Sequence, residues 1–316
     1  MANEITTTTL DDLTNATLVE ATIIYALSEQ PGLYKMCREF NLIGKPTLAA
    51  KIPTETSWWG SANDDGVGVD TEFDATQATA LSNTAVSTGS VTCTPTEYGV
   101  AHAITDNVAE DSVPIDFVTG QAMRMLHVLS LAMEDDFLAL LVSLSNSVGT
   151  SGVDLTIAQA ISAQQGLRVR GVVADALAYI MDNQQVSDLE AALMATNAAA
   201  AIFALSADRL INYAPTADNG MGSTRQVGQL RGVPVFATGL TDTANAGADV
   251  VGACLCPSTA ANDAIGSTTF GQAWKRLPRF ETQRQAKLRA NDLVMTARTG
   301  FVELQDGSGT SIVTDA

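Results

Sequence analysis

Residues 112–146 constrain the fold of this chain more than any other stretch. Their apolar side chains recur at spacings of three and four, which predicts one amphipathic helix of about nine turns. Pro114 suits the first helical turn, and Asp116 complements the positive end of the helix dipole. The helix is predicted to end in the Ser- and Gly-rich residues 146–152. The apolar positions are Val118, Ala122, Met125, Leu126, Leu129, Met133, Phe137, Leu140, Leu141 and Leu144.

Part of this helix, residues 123–144, is apolar enough to raise the question of a membrane span. Ionisable residues would then lie inside the bilayer at a high energetic cost, so we reject that interpretation. A helix of this length is longer than an ordinary compact domain is wide, so we expect two separate lobes to share it. The alternative interpretation is an ordinary core helix. The ionisable residues are Arg124, His127, Glu134, Asp135 and Asp136.

Composition limits the classes of protein that this chain can belong to. Its 316 residues, 46% of them hydrophobic, can form one elaborated domain or two. A net charge of -18 argues against a broad basic surface for nucleic acid, although transient contact with DNA remains compatible with it. The first residues have neither a basic start nor an apolar segment, so no secretory signal is predicted and we expect a cytoplasmic protein.

The four cysteines are predicted to be reduced. They lie far apart except for one Cys-x-Cys pair, which is too close for an easy mutual disulfide and matches no zinc pattern. They are Cys37, Cys93, Cys254 and Cys256.

Charge is distributed unevenly along the chain. Residues 52–123 contain no Lys or Arg, whereas residues 275–298 contain seven of the 17 basic residues. The acidic stretch carries Glu55, Asp64, Asp65, Asp70, Glu72, Asp74, Glu97, Asp106, Glu110, Asp111 and Asp116. The basic stretch carries Lys275, Arg276, Arg279, Arg284, Lys287, Arg289 and Arg298.

The amino-terminal third is predicted to contain helices and then a projecting hairpin. Residues 10–29 have a helical pattern, and residues 34–40 are predicted to form a second short helix. Residues 48–53 and 91–104 alternate as strands do, and the polar stretch between them is too long for an ordinary connection. Two large aromatic residues, Trp58 and Trp59, lie on this hairpin. We expect them to be anchors at an interface and not to serve local packing.

The remainder of the chain mixes helices and strands. We predict a helix over 156–168, a buried strand over 176–181, a helix from Asn183 or Gln184, and buried or basic strands over 250–256, 280–288, 293–298 and 300–304. In residues 228–237, Pro234 predicts a strand at a sheet edge.

No catalytic, metal or cofactor site is predicted. The two histidines, His102 and His127, have no metal-ligand spacing around them, and no phosphate loop or dinucleotide fingerprint is present. Asp135 and Asp136 occupy adjacent, divergent helix positions that favour a solvated face. Few aromatics interleave the basic residues 275–298, which fits acidic protein partners better than single-stranded nucleic acid.

Four segments carry a resemblance to a known family: KIPTETSWWG, TPTEYGVAHAITDNVAEDS, ALAYIMDNQQVSDLEAAL and GQLRGVPVFATG. With the order of the predicted elements, they resemble the major capsid protein of tailed bacteriophages, whose fold encapsulin shells share. The resemblance implies an α+β fold with five parts. These are an amino-terminal arm (1–45), an extended hairpin loop (46–110), the spine helix of a peripheral domain (111–151), a mixed α/β axial domain (152–264) and return strands of the peripheral domain (265–316).

The same resemblance implies a structural protein rather than an enzyme, with no cofactor. Such proteins self-assemble as hexamers and pentamers into an icosahedral viral head around double-stranded DNA, so the virion capsid, assembled in the host cytoplasm, is the expected location. A separate scaffolding protein, a portal and decoration proteins are the implied partners, and no membrane is. An encapsulin-like compartment is the nearest alternative, followed by an enzyme of unrecognised class and an extracellular adhesin.

Some members of this family link their subunits by an isopeptide bond from a lysine on the hairpin. This hairpin has no lysine beyond Lys51 at its base, so we expect a non-covalent shell. We predict that the acidic hairpin of one subunit contacts the basic strands of its neighbour, and that reversing Arg284, Lys287 and Arg289 to Glu impairs assembly more than folding. The predicted interface residues are Trp58, Trp59, Asp64, Asp65, Asp70, Glu72, Asp74, Arg279, Arg284, Lys287 and Arg289.

Overall fold

The computed structural model describes residues 4–5, 31–57, 87–111, 117–170, 177–194 and 226–316. The strands are β1 (Glu4–Ile5), β2 (Arg38–Asn41), β3 (Ala50–Ser57), β4 (Ser87–Cys93), β5 (Thr96–Thr105), β6 (Ser147–Gly149), β7 (Ala178–Asp182), β8 (Gln226–Leu230), β9 (Val233–Thr238), β10 (Thr243–Ala244), β11 (Asp249–Leu255), β12 (Phe270–Gln285), β13 (Ala290–Glu303) and β14 (Gly309–Asp315). The α-helices are α1 (Asp106–Asp111), α2 (Phe117–Leu138), α3 (Ile157–Val169), α4 (Asn183–Met194) and α5 (Ala260–Ile265).

A five-stranded sheet has the order β1-β5-β13-β12-β2. Its three long central strands are antiparallel, and the short strands β1 and β2 pair in parallel at its two edges. Helix α2 packs on this sheet, where Met125 and Leu129 form a buried cluster with Met295. Buried and partly exposed residues alternate along β13. Successive side chains point to opposite faces of the sheet, and only one of these faces packs against the helix.

A seven-stranded sheet has the order β6-β14-β11-β7-β9-β8, with β10 also paired to β11. Every residue of β11 is buried, as its continuous apolar sequence predicted, because both faces of this sheet are covered. Helices α3 and α4 contribute to the core on one face. Phe137 and Leu138 of α2, with Leu141 of the following 3-10 helix Ala139–Ser143, contribute to the core on the other.

Helix α2 therefore contributes to a core cluster at each of the two sheets. The described helix begins at Phe117, and its 3-10 extension ends at Ser143; the predicted start at residues 112–116 lies outside the described residues. Among the described residues, no helix is both long and apolar enough to cross a membrane.

Two local predictions from the sequence are wrong. Residues 34–40 form no single helix: a 3-10 helix, Leu33–Met36, is followed by β2, which adds to β12 through backbone pairing that the local pattern does not encode. Strand β9 is not an edge strand, because it lies between β7 and β8. Its ladder with β7 begins at Val235, one residue after Pro234, so the missing N–H of Pro234 is not needed there.

Strands β3 and β4 form the base of the predicted hairpin. They pair antiparallel from Ala50 opposite Cys93 to Ser57 opposite Ser87. The intervening residues 58–86 lie outside the described residues, as does the predicted helix 10–29. The predicted strand 91–104 is divided at Thr94 and Pro95 into β4 and β5.

Glu134 anchors the segment before β2 to helix α2. Its side chain is fully buried in the helix, and its Oε2 accepts hydrogen bonds from the backbone N–H groups of Gly32 and Leu33, the latter at 3.1 Å. Gly32 caps the amino end of the 3-10 helix, where a carboxylate complements the free N–H groups. From the sequence, Glu134 was one of the ionisable residues that exclude a membrane span, and this structural contact was not predicted.

All four cysteines are buried and unpaired, which confirms the prediction that they are reduced. Burial is the main reason why the pKa of each thiol is raised, for Cys256 to about 12. The thiols therefore stay protonated at neutral pH and behave as small apolar side chains.

Candidate subunit-contact surface

Strands β12 and β13 form a long hairpin that positions the predicted basic residues. The turn at residues 286–289 is closed by the Leu288 N–H, which donates to the Gln285 carbonyl oxygen at 3.1 Å. Arg289 has a φ of 50°, a left-handed conformation that reverses the chain into β13. Arg279 and Arg284 lie on β12, whereas Lys287 and Arg289 lie in the turn, and all four are exposed.

Strand β12 has one edge that is only partly covered. Strand β2 pairs with residues 271–274, and beyond Trp274 no described strand pairs with this edge. The half of this free edge nearer to Trp274, residues 275–279, contains two register shifts and Pro278. Such features block the pairing of a further strand. The far half, residues 280–285, has no such interruption.

Several basic residues on this hairpin have partners within the chain. Arg284 makes a bidentate pair with Asp106 at the start of α1, with Nη2 and Oδ2 2.6 Å apart. Arg279 pairs with Glu281 at 2.8 Å, and Arg276 pairs with Glu97. Glu97 lies on β5, Asp106 follows directly after β5, and Glu281 lies on β12 itself. Only β13 separates β5 from β12 in the sheet, an arrangement that the separate acidic and basic stretches of the sequence did not reveal.

The Arg284–Asp106 pair is reflected in the titration of both groups. The hydrogen bonds from Arg284 hold the pKa of Asp106 below its usual value, and Asp106 raises the pKa of Arg284. Within the described part of the chain, the side chains of Lys287 and Arg289 have no ion pair. The turn is therefore the part of the predicted basic surface that has no ion pair within the described chain, and the charge of Arg289 only contributes to the lowered pKa of Asp106.

Apolar side chains accompany these charges. Leu277, Phe280 and Leu288 are exposed along the same strand and turn. From the sequence, the few aromatic residues of this stretch gave only weak support for stacking, and no exposed apolar component was predicted. The signal was present, since three large apolar residues interrupt the basic stretch, but only the free edge of β12 shows that they are not core residues.

The acidic half of the predicted interface is not described. Trp58, Trp59, Asp64, Asp65, Asp70, Glu72 and Asp74 all lie in residues 58–86, outside the described residues. The structure therefore describes the basic residues of this predicted pair of surfaces and leaves their contact with the acidic residues untested. Within the described ranges, no group of three or more His, Cys, Asp or Glu residues could hold a metal ion.

Tyr98 joins the sheet beneath this surface to helix α2, because its hydroxyl donates a hydrogen bond to Asp136. Burial, and next the Asp136 carboxylate, raise the pKa of Tyr98 from 10.0 to about 12. Between these two values the unfolded chain releases a proton that the folded chain retains, so alkaline pH favours unfolding.

We therefore expect the stabilisation from Tyr98 to be fully present below pH 10, and the free energy of unfolding to fall as pH rises from 10 to about 12. Urea unfolding across this range checks the expectation, with Tyr98→Phe as the comparison because it removes the hydroxyl and keeps the ring. The variant should lose less stability than the unmodified protein over the same range. Parallel losses in the two proteins would contradict the role of Tyr98.

The sequence matches no protein-family model and no curated protein. Solved structures do match its fold over nearly the whole chain. The capsid of the cyanophage P-SCSP1u has a TM-score of 0.65 at 10% identity, covering 96% of this chain and 94% of that one. The head of Helicobacter pylori bacteriophage KHP40 has a TM-score of 0.63 at 11% identity, covering 98% and 97%.

An encapsulin complex from Synechococcus elongatus PCC 7942 matches with a TM-score of 0.58 at 9% identity, covering 92% of this chain and 93% of that one. This chain therefore has the α+β fold found in phage capsids and in an encapsulin. The resemblance predicted from the sequence is confirmed at the level of the fold.

Proposed function

We propose that this chain is the major capsid protein of a tailed bacteriophage, a structural shell protein with no enzymatic role. The observation that carries the proposal is the coverage of the structural match, which extends over 96% of this chain and 94% of a cyanophage capsid chain. In this role the protein assembles in the host cytoplasm and resides in the virion capsid.

The shell is formed by hexamers and pentamers of this chain around double-stranded DNA, which it contacts without sequence specificity. Portal and scaffolding proteins, and in some shells decoration proteins, are its partners. Because 35 acidic residues outnumber 17 basic ones, the shell adheres weakly to the packaged DNA.

Neighbouring subunits meet through the acidic residues between β3 and β4 of one copy and the β12–β13 turn of the next. Lys287 and Arg289 are suited to this contact, since they are exposed and have no ion pair in the described part of the chain. Each exposed pair is worth about 0 to 1 kcal/mol, so the shell depends on many repeated contacts and on apolar anchors. Trp58 and Trp59 on one side, and Leu277 and Phe280 on the other, are the proposed anchors.

Negative-stain electron microscopy of the purified chain over a range of salt concentrations tests this proposal. We expect closed shells, rings or tubes at low salt and their loss at high salt, because the screening length falls from about 10 Å at 0.1 M salt to about 3 Å at 1 M. Boiling the assemblies in detergent should release a single monomer band, as a non-covalent shell requires. Monomers at every salt concentration would call for co-expression with neighbouring genes, and continued failure to assemble there would reject the capsid role.

An encapsulin-like compartment is the second candidate, favoured by the match to the Synechococcus encapsulin complex. The two candidates predict similar shells and different contents. Nucleic acid inside shells purified from the native source would support the capsid, whereas a co-purifying enzyme would support the compartment.

A further inference from the structure

Part of the β12 edge has no backbone feature that prevents another strand from pairing with it. The ladder with β13 is regular from Arg279, where the second register shift ends, to Gln285. No described strand pairs with the other side of these seven residues. Bulges and prolines protect the edges of natural sheets, and in this strand both lie in the half nearer to Trp274. The seven-residue stretch can therefore accept a further strand.

The charges of this stretch are balanced within the chain. Arg279 pairs with Glu281 at 2.8 Å, and Arg284 makes its bidentate pair with Asp106. The two basic residues of the turn lie outside the stretch. A strand that approaches this edge therefore meets little net charge, although the hairpin as a whole is basic.

One face of the stretch leaves an apolar side chain uncovered at the edge. Phe280 lies opposite Met295, and Thr282 lies opposite Leu293, both of which belong to the buried cluster that contains Met125 of helix α2. Because residues directly opposite each other share a face of the sheet, Phe280 is on the face that packs against α2, and it is 37% exposed. The apolar layer under the helix therefore reaches the open edge of the sheet.

A second copy of the same stretch is a matching strand. With the two copies antiparallel and Thr282 opposite Thr282 of the partner subunit, all seven residues pair. The methylene groups of Arg284 then cover the exposed ring of the partner subunit's Phe280. Each charged residue of one copy lies opposite an uncharged residue of the other, in the pairs Arg279–Gln285, Glu281–Gln283 and Arg284–Phe280.

Other registers of this pairing are less favourable. A shift of one residue would place the face that packs on α2 in one copy beside the opposite face of the other copy. A shift of two residues in either direction leaves five paired residues of the seven, and in one direction it also sets Glu281 opposite Glu281 of the partner subunit. The stretch is therefore self-complementary in one register, centred on Thr282.

We propose that two copies of this chain join their five-stranded sheets by antiparallel pairing of residues 279–285 about a two-fold axis at Thr282. The contact is isologous, because the same stretch of both copies forms it. It goes beyond the contact proposed above between the β12–β13 turn and the acidic residues of a neighbour, and it leaves both turns outside the paired stretch. A single seven-residue pairing is small, so it forms transiently in solution and is stabilised where other contacts hold the copies together.

Cross-linking of the full-length chain through Thr282→Cys tests this pairing. Residues directly opposite each other in antiparallel strands have Cα atoms about 4.5 to 5.5 Å apart, which a disulfide can bridge, so mild oxidation should give a dimer on a non-reducing gel. Ala286→Cys is the matched control, because Ala286 is exposed in the turn of the same hairpin and its two copies would lie about 27 Å apart. The four native cysteines are buried and should not cross-link.

Soluble and sedimented protein are oxidised and analysed separately, so the result does not depend on the formation of shells. We expect at least about ten times more dimer from Thr282→Cys than from Ala286→Cys, because only the first pair of thiols lies within reach of a disulfide. Thermal unfolding checks that both variants are folded. Equal yields from the two variants, or no dimer in either fraction, would overturn the proposal.

A mixture of two further variants tests the register. In the proposed pairing Arg279→Cys of one copy lies opposite Gln285→Cys of the other, whereas two copies of the same variant hold their thiols about 20 Å apart. We therefore expect a cross-linked dimer from the mixture and little from either variant alone. A mixture that gives no more dimer than the separate variants would also overturn the proposal.

Discussion

Replacing both Lys287 and Arg289 by glutamate is expected to raise the protein concentration needed for assembly by about tenfold or more. Each reversal turns a weak attraction to the acidic residues of a neighbour into a repulsion, about 1 kcal/mol for each side chain, and about 1.4 kcal/mol corresponds to a factor of ten. The free energy of unfolding should change little, because neither side chain has an ion pair in the described part of the chain. Light scattering and electron microscopy over a concentration series measure the assembly, and thermal unfolding measures the stability.

A matched control combines Arg231, in the turn of the β8–β9 hairpin, with Arg168 of helix α3. Arg168→Glu/Arg231→Glu changes the net charge by the same amount, and Arg231 occupies a β-turn with a φ of 51°, close to the 50° of Arg289. This control should assemble at nearly the concentration of the unmodified protein. If the two double variants assemble equally well, the contact does not involve the β12–β13 turn.

Arg284 differs from Lys287 and Arg289 because it has an ion pair within the chain. Its bidentate pair with Asp106 lies within the chain, so Arg284→Glu removes an intramolecular contact as well as any contact with a neighbour. The triple reversal of Arg284, Lys287 and Arg289 therefore mixes two effects, and the double variant tests the subunit contact more cleanly.

Gly252→Ala is expected to destabilise the fold by about 1 to 3 kcal/mol. Gly252 lies in β11, where an added Cβ would be 2.7 Å from the Ile180 carbonyl oxygen and 3.2 Å from the Met181 Cα, in addition to contacting the Gln185 side chain. Backbone atoms cannot move aside cheaply. Gln185 itself is held by hydrogen bonds to the Ile312 carbonyl oxygen at 3.0 Å and to Thr314 Oγ1 at 2.9 Å.

Gly99→Ala is the control for this substitution. Gly99 lies in β5, and an added Cβ would meet its nearest neighbours at 3.6 and 3.8 Å, which is ordinary contact. Chemical denaturation of both variants gives the comparison, and the Gly99 variant should stay within about 0.5 kcal/mol of the unmodified protein. Equal stabilities of the two variants would show that β11 and β7 separate easily, contrary to the close packing in the structure.

Patterns that depend on near neighbours in the chain allowed correct predictions. Helix α2, helix α3, the β7–α4 unit and the buried strand β11 all follow from side-chain periodicity. The order of these elements, together with the four segments quoted above, was sufficient to recognise the resemblance to the capsid fold. The exposed basic residues of the β12–β13 hairpin were also predicted from composition alone.

Features that depend on partners distant in sequence were decided by the tertiary structure. The pairing of β2 with β12 converts a predicted helix into a strand, and β8 gives β9 an interior place despite Pro234. The ion pairs of Arg276 and Arg284 with β5 and α1, and the burial of Glu134 against Gly32, join residues more than 100 positions apart. The sequence by itself determined most of the helices and strands and the position of the charged stretches, since those depend on local periodicity and composition. Only the folded chain decided which charges are already paired and which edge of β12 remains open, because both depend on which strands become neighbours.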